Sequence, residues 1–155
     1  MGRASLPQRR RRARETALQL IYELDLRPDL TPDEAIEMYP WEAEPADVIE
    51  YAKALVIGVY EHTDEIDAMF REHIVGWRTE RMVAVDRASI RLALFEGIIG
   101  RKVPIAVAIS EAVELTKMFG TMESGSFVNG VLGRIVRSAR GGPAENEGSS
   151  EPDLV

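Results

Sequence analysis

The sequence contains no cysteine, so neither disulfide bonds nor cysteine-ligated metals can support the fold. Only two histidines occur in the 155 residues, His62 and His73, and no HExxH or other ligand-spaced cluster accompanies them. The sequence also lacks a serine nucleophile elbow and a glycine-rich phosphate loop. We therefore predict a protein that is not an enzyme and that uses neither a metal ion nor a cofactor.

Long apolar runs are missing as well. The apolar stretch 54–60 is far shorter than the roughly 20 residues that a transmembrane helix needs. The N-terminal segment has arginines but lacks the apolar core of a signal peptide. These absences predict a cytoplasmic protein with no membrane association, and the length predicts one domain or two packed halves.

Negative charge dominates the composition, with 26 acidic residues against 19 lysines and arginines and a net charge of −7. Alone, that balance argues against a nucleic-acid partner. The distribution reverses the argument, because residues 1–14 hold six arginines and no acid, whereas residues 141–155 hold four acids and no base. An acidic body repels nucleic acid everywhere except at the basic segment, which therefore both attracts and orients it.

Strand patterns are weak, while apolar residues recur with helical spacing along the whole chain, so we predict an all-α fold of about seven helices. Asp86 is predicted to cap the fifth helix, which is apolar on most sides and should be central. The tail 141–155 is too poor in apolar residues to pack and is expected to be disordered. The predicted helices cover about 9–26, 31–39, 46–62, 64–74, 86–99, 104–119 and 126–137.

The arginine cluster, defined here as Arg9 to Arg12 and Arg14, opens the first predicted helix. Arginine pairs phosphate oxygens through two parallel N–H groups and stacks on bases. At 100° per residue, Arg11, Leu18 and Tyr22 fall on one line opposite the predicted core stripe, and an aromatic ring beside arginines suits single-stranded RNA. A solvated charge run, with Leu18 and Tyr22 covered by a neighbouring helix, is the alternative, and the cluster alone does not decide between them. The core stripe comprises Ala13, Ala17, Leu20, Ile21 and Leu24.

A second motif, SGSFVNGVLGRI, covers residues 124–135. Asn129 and Gly130 are unusual within it, because both have poor helical propensity. Gly130 could allow close helix packing while Asn129 bonds a buried backbone group; alternatively, Phe127 and Asn129 read a base by stacking and amide hydrogen bonds. From the residues alone, packing is the favoured interpretation. The packing face comprises Val128, Val131, Leu132 and Ile135.

Four blocks in this order, residues 9–25, 86–97, 103–120 and 127–135, resemble the NusB family of transcription antitermination factors. The resemblance implies an all-helical fold of two three-helix bundles packed crosswise. It divides the chain into a flexible N-terminus, 1–8, a helical domain, 9–140, and the acidic tail, 141–155. Within the domain, the N-terminal bundle covers about 9–80 and the C-terminal bundle about 81–140.

The same resemblance implies binding to the boxA element of nascent ribosomal RNA with the small-subunit ribosomal protein NusE, in an antitermination complex on RNA polymerase. Its partner-binding side falls near Asp86 and Glu123. The RNA-binding positions implied are Arg9, Arg10, Arg11, Arg12, Arg14, Gln19, Tyr22, Phe127 and Asn129.

Departures from the family pattern are few. Ser110 stands where asparagine is usual, Gly97 replaces a bulkier apolar residue, and Thr116 replaces a small apolar one. None of these removes an arginine or the FVNG block, although Gly97 is expected to change packing beside the central helix. Two alternatives remain: an adaptor whose basic segment docks on an acidic protein surface, and a homodimer that buries the arginine helix.

Overall fold

The computed structural model describes residues 4–73 and 82–139, which contain seven α-helices and no β-strand. The predicted all-α fold is therefore confirmed. The chain divides into two compact units between Glu61 and His62. The helices are α1 (Leu6–Leu26), α2 (Pro32–Met38), α3 (Ala46–Glu61), α4 (Thr63–His73), α5 (Ala84–Leu94), α6 (Ile105–Phe119) and α7 (Ser124–Ala139), with a π-helical segment (Phe95–Ile99) continuing α5.

The first helix begins at Leu6, three residues before the predicted start at Arg9. A capping box explains the earlier start: the Gln8 backbone N–H donates to Ser5 Oγ at 3.2 Å, and the Ser5 N–H donates to Gln8 Oε1 at 2.8 Å. Pro7 in the first turn is compatible with a helix start. Leu6 to Gln8, predicted as flexible, therefore belong to α1, while residues 1–3 lie outside the described part.

Small side chains let α1 pack closely on α3 in the first unit. Ala13 of α1 is fully buried in a cluster with Val48 and Ala52 of α3. Trp41 and Tyr51 pack against this cluster and remain half-buried. The first half of α1, which contains the arginines, is thereby held beside the start of α3.

The fourth helix belongs to the second unit, although the sequence placed it in the N-terminal bundle. It contacts α5 and α7, with Ile66 and Phe70 buried. Arg91 of α5 donates from Nε and Nη2 to the two carboxylate oxygens of Asp67, at 3.0 and 2.8 Å. The predicted division near residue 80 falls in 74–81, outside the described residues, and the end of the predicted domain, residue 140, and the acidic tail 141–155 also lie outside them.

The fifth helix has the central position expected of it, because Leu92 and Leu94 are buried with Phe95 after them. It begins at Ala84 after Val83, however, and not at a cap formed by Asp86. Asp86 lies in the first turn with its side chain buried. The predicted cap was wrong because this carboxylate accepts a hydrogen bond from the Ser124 side chain of α7.

Gly97 allows the π-helical segment to approach α6 closely. A Cβ atom on Gly97 would lie 2.5 Å from Ile105 Cδ1 and 3.1 Å from both Ile105 Cα and Ala108 Cβ. The side-chain atom can move aside, but the backbone Cα can do so only if α6 shifts. The departure at Gly97 therefore corresponds to tighter helix packing at this position.

Substituting Gly97→Ala should lower the free energy of unfolding by about 1–3 kcal/mol, because the added methyl group overpacks the contact with α6. Gly125→Ala in α7 is the matched control, since its Cβ would meet its nearest neighbours at an ordinary 3.6 Å. The control should leave stability unchanged or raise it by up to about 1 kcal/mol through helix propensity. Urea denaturation measures both variants, and equal stability of the two would contradict this explanation.

Candidate nucleic-acid interface

Two arginines of α1 form ion pairs with acids that lie beside it in the first unit. Arg9 Nε donates to Asp47 Oδ2, in the first turn of α3, at 2.7 Å. Arg12 forms a bidentate pair with Glu44: its Nε donates to Oε1 at 2.7 Å and its Nη2 to Oε2 at 2.9 Å. The Arg12 side chain is 58% exposed while that of Glu44 is only 9% exposed, so the pair joins a solvent-exposed guanidinium to a nearly buried carboxylate side chain.

These contacts shift the pKa values of one carboxylate, Asp47, and one guanidinium, Arg12. The hydrogen bond from Arg9 lowers the pKa of Asp47, and the hydrogen bond and charge of Glu44 raise the pKa of Arg12. The Asp47 carboxylate and the Arg12 guanidinium are therefore charged near neutral pH. Because the Asp47 pKa is lower in the folded chain, its contribution to stability is present above the ordinary aspartate pKa and disappears as pH falls through the folded value.

Arg10 has a different environment, since its Cζ lies 4.0 Å from the centre of the Tyr51 ring. A guanidinium this close to the face of a ring is attracted to it electrostatically. Two further aromatic rings, those of Tyr39 and Trp41, lie near the same helix, with their centroids 4.6 Å apart. Sequence reasoning missed these aromatic residues, because they follow the arginines by about 30 to 40 positions and belong to no local motif.

The remaining predicted residues of α1 divide into exposed and buried ones. Arg11 and Gln19 are exposed, and Tyr22 is 37% exposed. Arg14, by contrast, is only 4% exposed, and Leu18 one turn later is also buried. A helix that buries position 18 also buries position 14 on the same face, so Arg14 does not lie on the surface where a phosphate would bind. The predicted exposed line through Arg11 and Tyr22 is correspondingly interrupted at Leu18.

The FVNG block lies in α7 of the second unit. Its packing face is as predicted, since Val128, Val131, Leu132 and Ile135 are all fully buried. Asn129 is exposed, so its amide is available to a ligand and does not satisfy a buried backbone group. Phe127 is half-buried. Phe127 and Asn129 thus offer an aromatic ring that can stack on a base and, two residues later, an amide that can form hydrogen bonds with one.

The two predicted partner-binding residues have different environments. Asp86 is buried, with a hydrogen bond from Ser124, and its Oδ1 has no hydrogen-bond partner among the described residues. Ser124 Oγ also accepts the Thr121 backbone N–H at 3.0 Å, so Asp86 supports the turn before α7. Glu123, in that turn, is exposed. Of the two, only Glu123 is placed to touch a partner directly.

Burial raises the pKa of Asp86, while the hydrogen bond from Ser124 opposes the shift. A raised folded-state pKa means that the folded chain binds the proton more tightly than the unfolded chain does, so the stability from this group falls as pH rises through the folded pKa. Asp86→Asn removes that dependence. We expect its free energy of unfolding, relative to the unsubstituted protein, to increase from pH 3 to pH 7; a constant difference in urea titrations would contradict this.

Three exposed apolar side chains lie within five residues before Glu123 in the chain. Met118 and Phe119 at the end of α6 are exposed, and Met122 in the following turn is 97% exposed. Methionine and phenylalanine are enriched in the centres of protein–protein interfaces. The loop between α6 and α7, with these apolar residues and one carboxylate, is therefore a candidate partner-binding surface.

Other kinds of site find no support in the described residues. No group of three or more histidine, aspartate or glutamate side chains there is arranged to hold a metal ion. None of the helices in 4–73 and 82–139 combines the length and apolar character needed to cross a membrane.

An all-helical chain with arginines grouped on its first helix has the features of a nucleic-acid-binding protein. The family comparison is specific: the NusB family model matches residues 11–137, and the chain belongs to the NusB family. The resemblance stated from the four sequence blocks is thus confirmed.

Curated relatives and solved structures agree with this assignment. The chain is 40% identical to the transcription antitermination protein NusB of Symbiobacterium thermophilum over 150 residues, which cover 91% of this chain and 97% of that protein. It is 42% identical to the NusB of Bacillus subtilis over 127 residues, 82% and 94% of the two chains. The T. maritima NusB structure matches with a TM-score of 0.75 at 32% identity, covering 83% of this chain and 90% of that one. A crystal structure of the antitermination factors NusB and NusE with dsRNA matches with a TM-score of 0.74 at 30% identity, covering 84% and 98%.

Proposed function

We propose that the protein is an RNA-binding transcription antitermination factor that acts in the cytoplasm and has no catalytic role. It recognises a boxA-like single-stranded segment of nascent ribosomal RNA together with NusE, within an antitermination complex on RNA polymerase. The observation that carries the proposal is the grouping of Arg9 to Arg12 on the outer part of α1 in a chain of the NusB family. The matched structure that contains NusB, NusE and RNA supports it.

The arginines supply charge for the phosphates. Arg11 is exposed, Arg10 is ordered by Tyr51, and Arg9 and Arg12 lie on the side of α1 that faces the start of α3. Phosphate contacts of this kind fix the position of RNA without reading its sequence. Arg14 is left out of the proposed site because it is buried.

Sequence reading requires groups that contact bases. Tyr22 presents a partly exposed ring on the same helix as the arginines, and Gln19 presents an exposed amide. Phe127 and Asn129 supply the same two chemistries on α7. Stacking on aromatic rings and hydrogen bonds to base edges are the usual means of recognising unpaired RNA.

NusE is proposed to bind at the loop between α6 and α7. Met118, Phe119 and Met122 would form the apolar centre of that interface, with Glu123 as its charged contact. Asp86 contributes indirectly, by supporting the turn through Ser124.

A gel-shift series tests the proposed function. The protein is titrated against single-stranded RNA that contains boxA and against a scrambled RNA of the same length, with and without NusE. We expect the boxA RNA to bind more tightly, and NusE to strengthen that binding. Equal affinity for both RNAs under all conditions would contradict the proposal, and retained NusE binding without RNA binding would favour the adaptor alternative.

A further inference from the structure

Two of the guanidinium groups proposed to bind phosphate already have carboxylates in that position, those of Arg9 and Arg12. Glu44 holds the Nε–Nη2 edge of Arg12 through both oxygens, and Asp47 holds Nε of Arg9. The two-oxygen contact of Glu44 is the geometry that a phosphate uses on arginine. We propose that Glu44 and Asp47 are internal competitors of RNA, which occupy phosphate positions in the free protein and are displaced when RNA binds. The inference rests on the proposed RNA-binding role of α1.

The chain topology makes this competition a property of the fold. Glu44 lies 32 residues after Arg12, and Asp47 lies 38 residues after Arg9, so neither pair is a local helix contact. Packing of Ala13 against Val48 and Ala52 holds the start of α3 beside the arginines. The competing carboxylates are therefore present whenever the first unit is folded.

Burial makes Glu44 the stronger competitor. Its side chain is only 9% exposed, whereas the Asp47 side chain is 44% exposed. A phosphate that takes the same edge of Arg12 lies close to the displaced carboxylate, and like charges repel. RNA must therefore supply further contacts, at Arg11 or by stacking, before the Arg12–Glu44 pair opens.

The competition lowers the affinity of the protein for every RNA, whatever its sequence. Because phosphate contacts carry no sequence information, removing a competitor should strengthen binding of boxA and scrambled RNA by the same factor. In the unsubstituted protein, the two pairs thus lower general RNA affinity, so that binding depends more on the groups that contact bases.

The first test is the affinity of Glu44→Gln and Asp47→Asn for the two RNAs, measured by fluorescence anisotropy with labelled RNA. Each amide keeps the side-chain shape and removes the charge. We expect a gain of about two- to fivefold for Glu44→Gln, the range given by breaking a solvent-accessible ion pair, and a smaller gain for Asp47→Asn. Glu50→Gln is the matched control, since it removes one charge from an exposed position of α3, the helix that also contains Asp47, and should have a smaller effect.

A double-mutant cycle separates competition from general charge. If Glu44 acts through Arg12, Glu44→Gln gives no gain in an Arg12→Ala background; a gain that persists there would overturn the inference. Unchanged or weakened binding by Glu44→Gln would also overturn it, because the carboxylate would then only position the arginine. The Arg9 and Asp47 pair provides a second cycle if thermal melting shows that a Glu44 variant is unfolded.

The outcomes also distinguish this inference from the proposed function. RNA binding by the unsubstituted protein with no effect of the acid-to-amide variants removes the inference alone. No RNA binding by the unsubstituted protein, even with NusE present, removes both.

Discussion

Replacing Arg10, Arg11 and Arg12 together by alanine should weaken binding of boxA-containing RNA about 100-fold or more at low salt, because charge-assisted hydrogen bonds to phosphate are among the strongest polar contacts. The salt dependence should change with it. Each phosphate contact on a single strand contributes about −0.7 to the slope of log affinity against log salt, so loss of three contacts should flatten the slope by about 2. Anisotropy titrations at several salt concentrations measure both quantities.

The matched control removes the same charge elsewhere. Arg71, Arg101 and Lys117 are exposed residues of the second unit, and their replacement by alanine gives the same change in net charge. We expect a small loss of affinity and an unchanged slope. If the control flattens the slope as much as the α1 variant does, the arginine cluster is not the phosphate-binding site. Circular dichroism confirms folding, since Arg12→Ala leaves the nearly buried Glu44 without its ion pair.

Replacing the proposed stacking rings by leucine should weaken RNA binding without changing the salt slope. A base stacked on an aromatic side chain contributes about 1–3 kcal/mol, which corresponds to a loss of roughly 5- to 150-fold for Tyr22→Leu or Phe127→Leu. Leucine keeps an apolar side chain at each position, so the variants test the ring and not merely packing. The slope should stay constant because no phosphate contact is removed.

Tyr60→Leu is the control for ring loss. Tyr60 is also an exposed tyrosine of the first unit, but it lies near the C-terminal end of α3, whereas the arginines lie beside the N-terminal end. This variant should bind RNA as the unsubstituted protein does. Equal losses for the Tyr22 and Tyr60 variants would show that the rings do not contact bases. A loss confined to Phe127→Leu would move base recognition to α7 alone.

Local features of the fold were predictable from local sequence. Thr31 and Glu34 have the three-residue spacing of a capping box, and both of its hydrogen bonds are present, at 2.9 and 3.1 Å. The spacing of the apolar residues in α7 predicted its buried face. The sequence favoured a packing role for Asn129, however, whereas its side chain is exposed. The capping box and the buried face each depend on contacts within about one or two helical turns, which helical periodicity describes well.

Contacts between distant residues were not predictable in this way. The Arg12–Glu44 pair and the Arg10–Tyr51 stack join positions more than 30 residues apart. The sequence shows the charges and the rings but not which helix brings them together. A charge count alone therefore treated the arginines as equivalent, whereas the structure distinguishes Arg12, which is paired with Glu44, from Arg10, which lies over the Tyr51 ring.

Two charged side chains are buried although their residue types are usually exposed, and this was the other source of error. The family resemblance assigned Arg14 to the RNA surface together with its neighbours, although its side chain is almost completely buried, which is rare for arginine. Asp86 was predicted to cap α5, and its carboxylate instead accepts a hydrogen bond from Ser124 within the second unit. In both cases tertiary packing determines the environment, and no pattern in the neighbouring residues reveals it.

The most direct test of the central claim, that the first half of α1 binds RNA, is an NMR titration of arginine-labelled protein with boxA-containing RNA. The side-chain Nε–Hε signals report each guanidinium separately. We predict that Arg10, Arg11 and Arg12 shift or broaden as RNA is added, while Arg71 and Arg101 keep their positions. RNA binding that perturbs only arginines of the second unit, and leaves the three α1 signals unchanged, would contradict it.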